Sequence, residues 1–215
     1  MSWVENSLGS LCEEITVGYV SSMANEYIDI GIPFLRSLNI EPYKLNLKPE
    51  QLKFISAKFH QKLSKSKLNA RDLAIVRTGL PGTCCVIPKG FGEVNCSDLV
   101  IARPKKSVDP YFLCYYINSP FGRGSIGGNL VGVAQKHFNV GVAKRMIIPT
   151  PPLQTQKRIA NILSGYDNLI ENNLKRIKLL EQAAQNIYKE WFVNMRFPGH
   201  ENTPINKETG LPVGW

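Results

Sequence analysis

Acidic side chains are in short supply. The 215-residue chain holds 17 Asp and Glu against 26 Lys and Arg, a net charge of +9. A surplus of that size suits a polyanion partner, because neutralising phosphates releases counterions and supplies most sequence-independent nucleic-acid affinity. A merely soluble basic protein would meet the charge equally well. Long apolar runs are also lacking: no stretch of 18 or more apolar residues occurs, and Met1–Glu5 has neither a basic nor an apolar leader segment. The chain therefore reads as soluble, unexported and cytoplasmic. Histidine is limited to His60, His137 and His200, and the five cysteines (Cys12, Cys84, Cys85, Cys96, Cys114) form no C-x-x-C pair. A metal site is not expected from so thin a donor set. An odd number of thiols, two of them adjacent, fits reduced core cysteines better than a disulfide frame.

The signatures of catalysis are missing as well. There is no Walker lysine motif, no carboxylate cluster of the metal-nuclease type, and Gly90-Phe91-Gly92 and Gly122-Arg123-Gly124 are isolated G-x-G pairs. Thr150-Pro151-Pro152-Leu153 superficially resembles the Asn/Asp-Pro-Pro-aromatic motif of amino-methyltransferases. It lacks the amide or carboxylate that would hold the target amine, and the aromatic that would stack on the base. Neither intrinsic activity nor a bound cofactor is expected.

What is present falls into two parts. Hydrophobic residues make up 43% of the chain, enough for a core. From Leu153 to about Asn194 no proline occurs and Gly165 is the sole glycine, which predicts a helix roughly 60 Å long. The break Pro149-Thr150-Pro151-Pro152 marks its start, since proline suits a first turn and forbids helix before it. Along this helix a stripe falls on a 4-3 alternation: Ile159, Leu163, Tyr166, Ile170, Asn173, Ile177, Leu180, Ala184, Ile187 and Trp191. A repeat of 3.5 residues keeps one face toward a partner helix, as a coiled coil requires, and a seam Asn such as Asn173 fixes register and partner number. The competing reading leaves Asn173 merely surface-exposed. The basic surplus does not lie on this arm: residues 1–152 carry 18 Lys and Arg against 11 Asp and Glu, residues 153–215 carry 8 against 6.

Ahead of the break the pattern is mixed. Residues 3–46 read as short strands and loops broken by Gly and Pro. Residues 51–71 read as a short helix, with Ser56 capping a turn that carries Phe59 and Leu63, and then a basic loop. That run is expected to bring Lys58, Lys62, Lys65, Lys67 and Arg71 together. Asp72–Val76 reads as a strand, Arg77–Gly82 as a turn, and Thr83–Pro88 as a second strand. Leu99–Ala102 is a further strand, Tyr111–Asn118 a buried helix, 122–132 an exposed glycine-rich loop, and Met146–Ile148 a closing strand. The basic run, together with Arg77, Lys89, Arg123 and Lys136, supplies candidate phosphate contacts. Thr78, Asn95, Asn129, Gln135 and Asn139 lie in or beside turns, where amides pair with adenine edges and Arg or Lys with guanine. The plainer reading is that Asn and Gly merely make those turns.

The string Pro151-Pro152-Leu153-Gln154-Thr155-Gln156-Lys157-Arg158-Ile159-Ala160-Asn161-Ile162-Leu163 and the helix it opens resemble the specificity subunits of Type I restriction-modification systems. Trp191–His200 and the closing Gly210–Trp215 are similar to that family too, as are Leu73–Gly82, Asp109–Leu113 and Asn118-Ser119-Pro120 upstream. The resemblance implies an α+β fold: a mixed α/β target-recognition domain over 1–150, a long coiled-coil-forming spacer helix over 151–196, and a polar tail over 197–215 that looks like the start of a second repeat. Members usually carry two such units with antiparallel helices, so this chain resembles a half-subunit that would pair with a second copy. They contain no active site, read the two halves of a bipartite double-stranded DNA sequence, and hold adenine-methylating modification subunits that bring S-adenosylmethionine. Restriction subunits supply ATP-driven translocation and cleavage. The alternatives are a fragment of a fused methyltransferase-nuclease and a coiled-coil scaffold without a DNA role.

Overall fold

The computed structural model describes residues 3–128 and 138–215. The chain opens with β1 (Val4–Ser7), a one-turn helix α1 (Leu8–Leu11) and β2 (Cys12–Val17). Short strands follow: β3 (Tyr27–Ile28), β4 (Ile32–Leu35), β5 (Ile40–Glu41), β6 (Lys44–Leu45) and β7 (Phe54–Ile55). Next come α2 (Ala57–Lys62), β8 (Lys67–Leu68), β9 (Leu73–Val76), β10 (Cys84–Val86), β11 (Val94–Cys96) and β12 (Leu99–Pro104). The remaining elements are α3 (Pro110–Asn118), α4 (Pro120–Gly128), α5 (Val140–Arg145), β13 (Ile147–Thr150) and α6 (Leu153–Tyr188). The mixed α/β body followed by a long helix is the architecture the sequence implied. By contacts, the chain divides into two compact units, Met1–Leu163 and Ser164–Trp215.

In the first unit, an antiparallel sheet in the order β10-β9-β12-β2 forms the middle layer. Both faces are buried along β9, β10 and Leu99–Ala102 of β12, which are apolar as strands covered on two sides must be, whereas the edge strand β2 carries exposed Glu13 and Glu14. The alternation of side chains sorts them by face. Leu73, Ile75, Cys84, Val86, Val100 and Ala102 point to one core, where they meet Leu8 and Leu11 of α1 and Phe112, Leu113 and Ile117 of α3. Ala74, Val76, Cys85, Ile87, Leu99 and Ile101 point to the other, against Leu35, Leu68, Val94 and Cys96. Those last residues belong to the second sheet, in the order β3-β7-β4-β11-β8. Each fully buried Leu, Ile or Phe contributes about 1.5–3 kcal/mol. All five cysteines are buried and reduced, as their spacing suggested.

The helices start where their caps say they should. Ser56 Oγ accepts the Phe59 N–H at 3.1 Å, and Asp109 caps α3 by accepting from Phe112 N at 3.0 Å, with Pro110 in the first turn. The start of α6 is held by Gln156, which is 2% exposed. Its Nε2 donates to the Pro151 carbonyl at 2.8 Å, and its Oε1 accepts the Asp109 N–H at 2.9 Å. One amide thus ties the root of α6 to the root of α3. The outermost strands β1 and β13 pair antiparallel from Val4↔Thr150 to Ser7↔Ile147.

The glycine-rich stretch corrects the expected loop: residues 120–128 are helix α4, and 129–132 lie outside the described residues. Gly122 and, outside the helix, Gly82 serve close packing. A Cβ on Gly122 would lie 2.3 Å from the Tyr116 carbonyl oxygen, and Ile126 fills the space over Gly82 and is buried in the core. Leu8–Leu11, read as strand or loop, is helical because Ser7 caps it.

In the second unit α6 continues to Tyr188 and closes in a π-helical turn, Lys189–Val193. At 1.5 Å per residue the 36-residue α-helix is about 54 Å long. Among the described residues no helix is long and apolar enough to cross a membrane. The tail is polar in composition but anchored by rings. Trp215 packs against Phe192 at 5.1 Å and Phe197 at 4.8 Å between ring centroids, and Phe192 stacks on Tyr188 at 5.2 Å.

Candidate nucleic-acid interface

The turn between β9 and β10 projects from one end of the middle sheet. Gly79 and Gly82 both have φ near +88°, a conformation that favours glycine, and they set the turn's shape. Thr83 N donates to Leu80 O at 3.2 Å and Gly82 N to Val76 O at 2.9 Å, leaving Leu80 exposed at the tip. The Arg77 guanidinium is paired with the Asp98 carboxylate. Asp98 N in turn donates to the Tyr19 carbonyl at 3.1 Å, which draws Gly18–Ser21 to the same end. A shallow groove beside that segment is lined by Lys62 and Lys65. The Gly18–Ser21 segment is thus tied through Asp98 to the end of β9 that carries Arg77, and it also lines the groove of Lys62 and Lys65. Exposed Lys58 lies on α2, a turn of helix before Lys62.

Other residues of the basic run are placed differently. Arg71 lies two residues before β9 and Arg77 directly after it, so the four-residue strand, about 13 Å long at 3.3 Å per residue, stands between them. Arg71 has φ +78° and donates from Nη2 to Val108 O at 3.2 Å, so it does not join the lysines. Lys67 is half-buried in β8, and its carbonyl accepts Arg103 Nη2 at 3.0 Å. Lys65 also reaches a polar groove with Lys144, Glu13 and Glu14.

The amides divide as well. Asn95 is fully buried, a correction to its reading as a base-contacting side chain. Its Nδ2 donates to Leu63 O at 3.1 Å and lies 3.3 Å from His60 Nδ1, while its Oδ1 accepts Cys96 N at 2.9 Å. Asn139 is exposed and caps α5 by accepting Val142 N at 2.9 Å. Phe138 N donates to Arg77 O at 3.0 Å, which sets α5's start beside the β9–β10 turn. Asn129, Gln135 and Lys136 lie outside the described residues.

On α6 the predicted seam is open along most of its length. Tyr166, Ile170, Ile177, Leu180 and Ile187 are each at least 50% exposed, Leu163 and Trp191 less so, and Asn173 and Ala184 are exposed between them. Ile159 alone packs against the body's core. Further apolar residues flank the seam: Ile162, Leu169, Leu174 and Tyr188.

The sequence pattern of the Type I restriction modification DNA specificity domain matches residues 2–182. The chain belongs to this family.

Among proteins similar to this specificity domain is the putative type I restriction enzyme MjaX specificity subunit of Methanocaldococcus jannaschii. It is 33% identical over 220 residues, a match covering 99% of this chain and 50% of the relative. The MjaVIII specificity subunit of the same organism is 27% identical over 124 residues, covering 58% and 28%. The specificity domain thus spans about half the length of the full relative it matches end to end. Its fold is shared with the HsdS subunit from Thermoanaerobacter tengcongensis (TM-score 0.57, 20% identity, 89% of this chain and 45% of that one). It is shared also with the Type-I restriction-modification system S subunit from M. genitalium (TM-score 0.59, 13% identity, 89% and 46%).

Two features of this specificity domain escaped the sequence reading. His60 is 2% exposed, with Nδ1 facing Asn95 and Nε2 lying 3.6 Å from Glu93 Oε1. The Asn95 amide donates to Nδ1, so the ring is neutral with its proton on Nε2. Burial, reinforced by Lys67, holds its pKa below the usual value. Gln156 was visible only as part of a motif. Its partner Asp109 lies 47 residues away, and no local signal announces the pairing.

Proposed function

We propose that this specificity domain reads one half of a bipartite double-stranded DNA site for a Type I restriction-modification complex. The observation that carries the reading is the Gly18–Ser21 segment, which is tied through Asp98 to Arg77 at the foot of the glycine-framed β9–β10 turn and lines the groove of Lys62 and Lys65. This arrangement offers positive charge for phosphates beside an exposed turn for base edges, on a body that holds most of the chain's basic surplus. Arg77, Thr78, Asn139 and the undescribed Asn129, Gln135 and Lys136 are the candidate readers; Lys58, Lys62 and Lys65 are the candidate phosphate contacts.

The chain contributes recognition, and chemistry belongs to its partners. Adenine-N6 modification subunits bring S-adenosylmethionine, and restriction subunits bring ATP-driven cleavage, all in the cytoplasm. The apolar stripe on α6 is wider than a two-helix seam needs. The seam serves self-association with a second copy, and Ile162, Leu169 and Leu174 beside it serve the modification subunits. Two copies related by a two-fold axis would read inverted half-sites.

Methylation mapping in cells carrying this chain and its modification partner tests the proposal. Adenines methylated in one symmetric bipartite motif are expected. Absence of any preference among random duplexes at moderate salt, by the assembled complex, refutes it.

A further inference from the structure

Residues 37–42 lie against the β9–β10 turn, and between them the body carries an apolar groove of about 330 Å³. Leu38, Ile40, Pro42, Val76 and Leu80 line it, with Thr78, one of the candidate readers, in the same wall. Leu80 is 71% and Leu38 63% exposed, so two leucines stand open at its mouth. Of the described residues that line the groove, Glu41 alone is charged, and it is paired with Lys44 at 3.5 Å.

Both walls are fixed by hydrogen bonds. Asn39 is fully buried; its Oδ1 accepts Arg36 N at 2.9 Å and its Nδ2 donates to Asn46 O at 3.1 Å. Arg36 Nη2 donates to Gln51 O at 2.6 Å, so Leu38 rides on a loop that is braced at both ends. Tyr43 N donates to Cys84 O at 3.0 Å and ties that loop to β10. Across the groove, Val76 N donates to Thr83 O at 2.8 Å and closes the turn that carries Leu80. Apolar surface ordered in advance loses little entropy when a partner covers it.

The chemistry of that partner is narrow. Two exposed leucines fall well short of the roughly 800 Å² per side that a stable protein interface buries. They match the size of a base edge. Among the groups that base pairs display in the major groove, all are hydrogen-bond donors or acceptors except the 5-methyl group of thymine. An apolar contact on a turn that reads base edges therefore has one complement there.

We propose that Leu80 and Leu38 read the 5-methyl group of a thymine in the recognised half-site. The inference rests on the DNA reading proposed above. It adds a specificity contact made by apolar side chains, where the sequence pointed only to amides, a hydroxyl and cations.

The test uses the full chain assembled with its modification subunits, on the half-site that methylation mapping defines. Each thymine on either strand is replaced singly by deoxyuridine, which removes the methyl group and keeps the pairing edge. Duplex affinities are measured for the unsubstituted chain, Leu80→Ala and Leu38→Ala. The expected result is one position where deoxyuridine weakens binding about fourfold, the factor that burying one methyl group gives. Each variant should cut that effect to less than about twofold while leaving affinity for random duplexes unchanged. Both leucines are exposed enough that alanine should leave the fold intact, and circular dichroism checks this. Deoxyuridine tolerated at every position, an effect that either variant leaves at about twofold or more, or a half-site without thymine overturns the methyl contact while DNA reading stands. Variants that leave every duplex affinity unchanged but weaken binding of the modification subunits place the leucines in a protein contact and overturn it too. Equal affinity of the unsubstituted complex for specific and random duplexes overturns both readings.

Discussion

Replacing Gln156 by Met keeps the side chain's length and volume while removing both of its hydrogen bonds. The Pro151 carbonyl loses its 2.8 Å donor, and the Asp109 N–H loses its 2.9 Å acceptor. A buried polar group left without a partner costs about 1–3 kcal/mol. Pro151 is buried and takes the upper part of that range; Asp109 is half-buried, at the edge of the site, and takes the lower. The sum is about 3 kcal/mol, and at about 2–4 °C per kcal/mol for a chain of this size the midpoint should fall by about 6–12 °C. Thermal unfolding followed by far-ultraviolet circular dichroism measures it, with the exposed neighbour Gln154→Met as control. The control should change stability by less than about 0.5 kcal/mol. Equal, small effects from the two substitutions would show that the Gln156 bridge does not hold the root of α6, and the account of that junction would be wrong.

Converting Lys62 and Lys65 together to Ala should lower DNA affinity of the assembled complex across all sequences and reduce the slope of log affinity against log salt by about 2. Titrating salt with specific and random duplexes reads both. His60 is held neutral in the folded chain, so the unfolded chain binds the extra proton first. Stability should therefore be full above the ordinary histidine pKa and decline as pH falls below it toward the lower folded value. Urea midpoints between pH 7 and pH 5 should show that decline, and His60→Gln should flatten it. Burial pushes the Cys12 thiol up to about 12 and raises Cys84, Cys85 and Cys96 as well. A thiol reagent at pH 8 should then label the native chain slowly, and all five sites rapidly only in denaturant.

What the sequence disclosed was whatever local chemistry decides. The Ser56 cap, the proline break before α6, the turn at Arg77–Gly82 and the strands flanking it all follow from neighbours within a few residues. Helix α4 did not disclose itself, because Gly122 and Gly124 look like loop residues until Tyr116 is seen pressing on one of them. Arg71 follows four lysines in sequence, yet its guanidinium reaches the Val108 carbonyl, while Lys62 and Lys65 line a groove beside Gly18–Ser21. Asn95 looked like a turn amide because its partners, His60 and Leu63, are 35 and 32 residues away. Seam periodicity on α6 was legible throughout, since 3.5-residue spacing needs no tertiary information.

The pairing of β1 with β13 means that the chain enters and leaves the recognition body through adjacent strands, about 5 Å apart. The segment between Ser7 and Ile147 is closed off by that strand pair and is tied a second time where Asp109 N–H donates to Gln156. A different body spliced in there would keep the start of α6 only if it also offered the backbone N–H that Asp109 gives Gln156 and an apolar surface for Ile159.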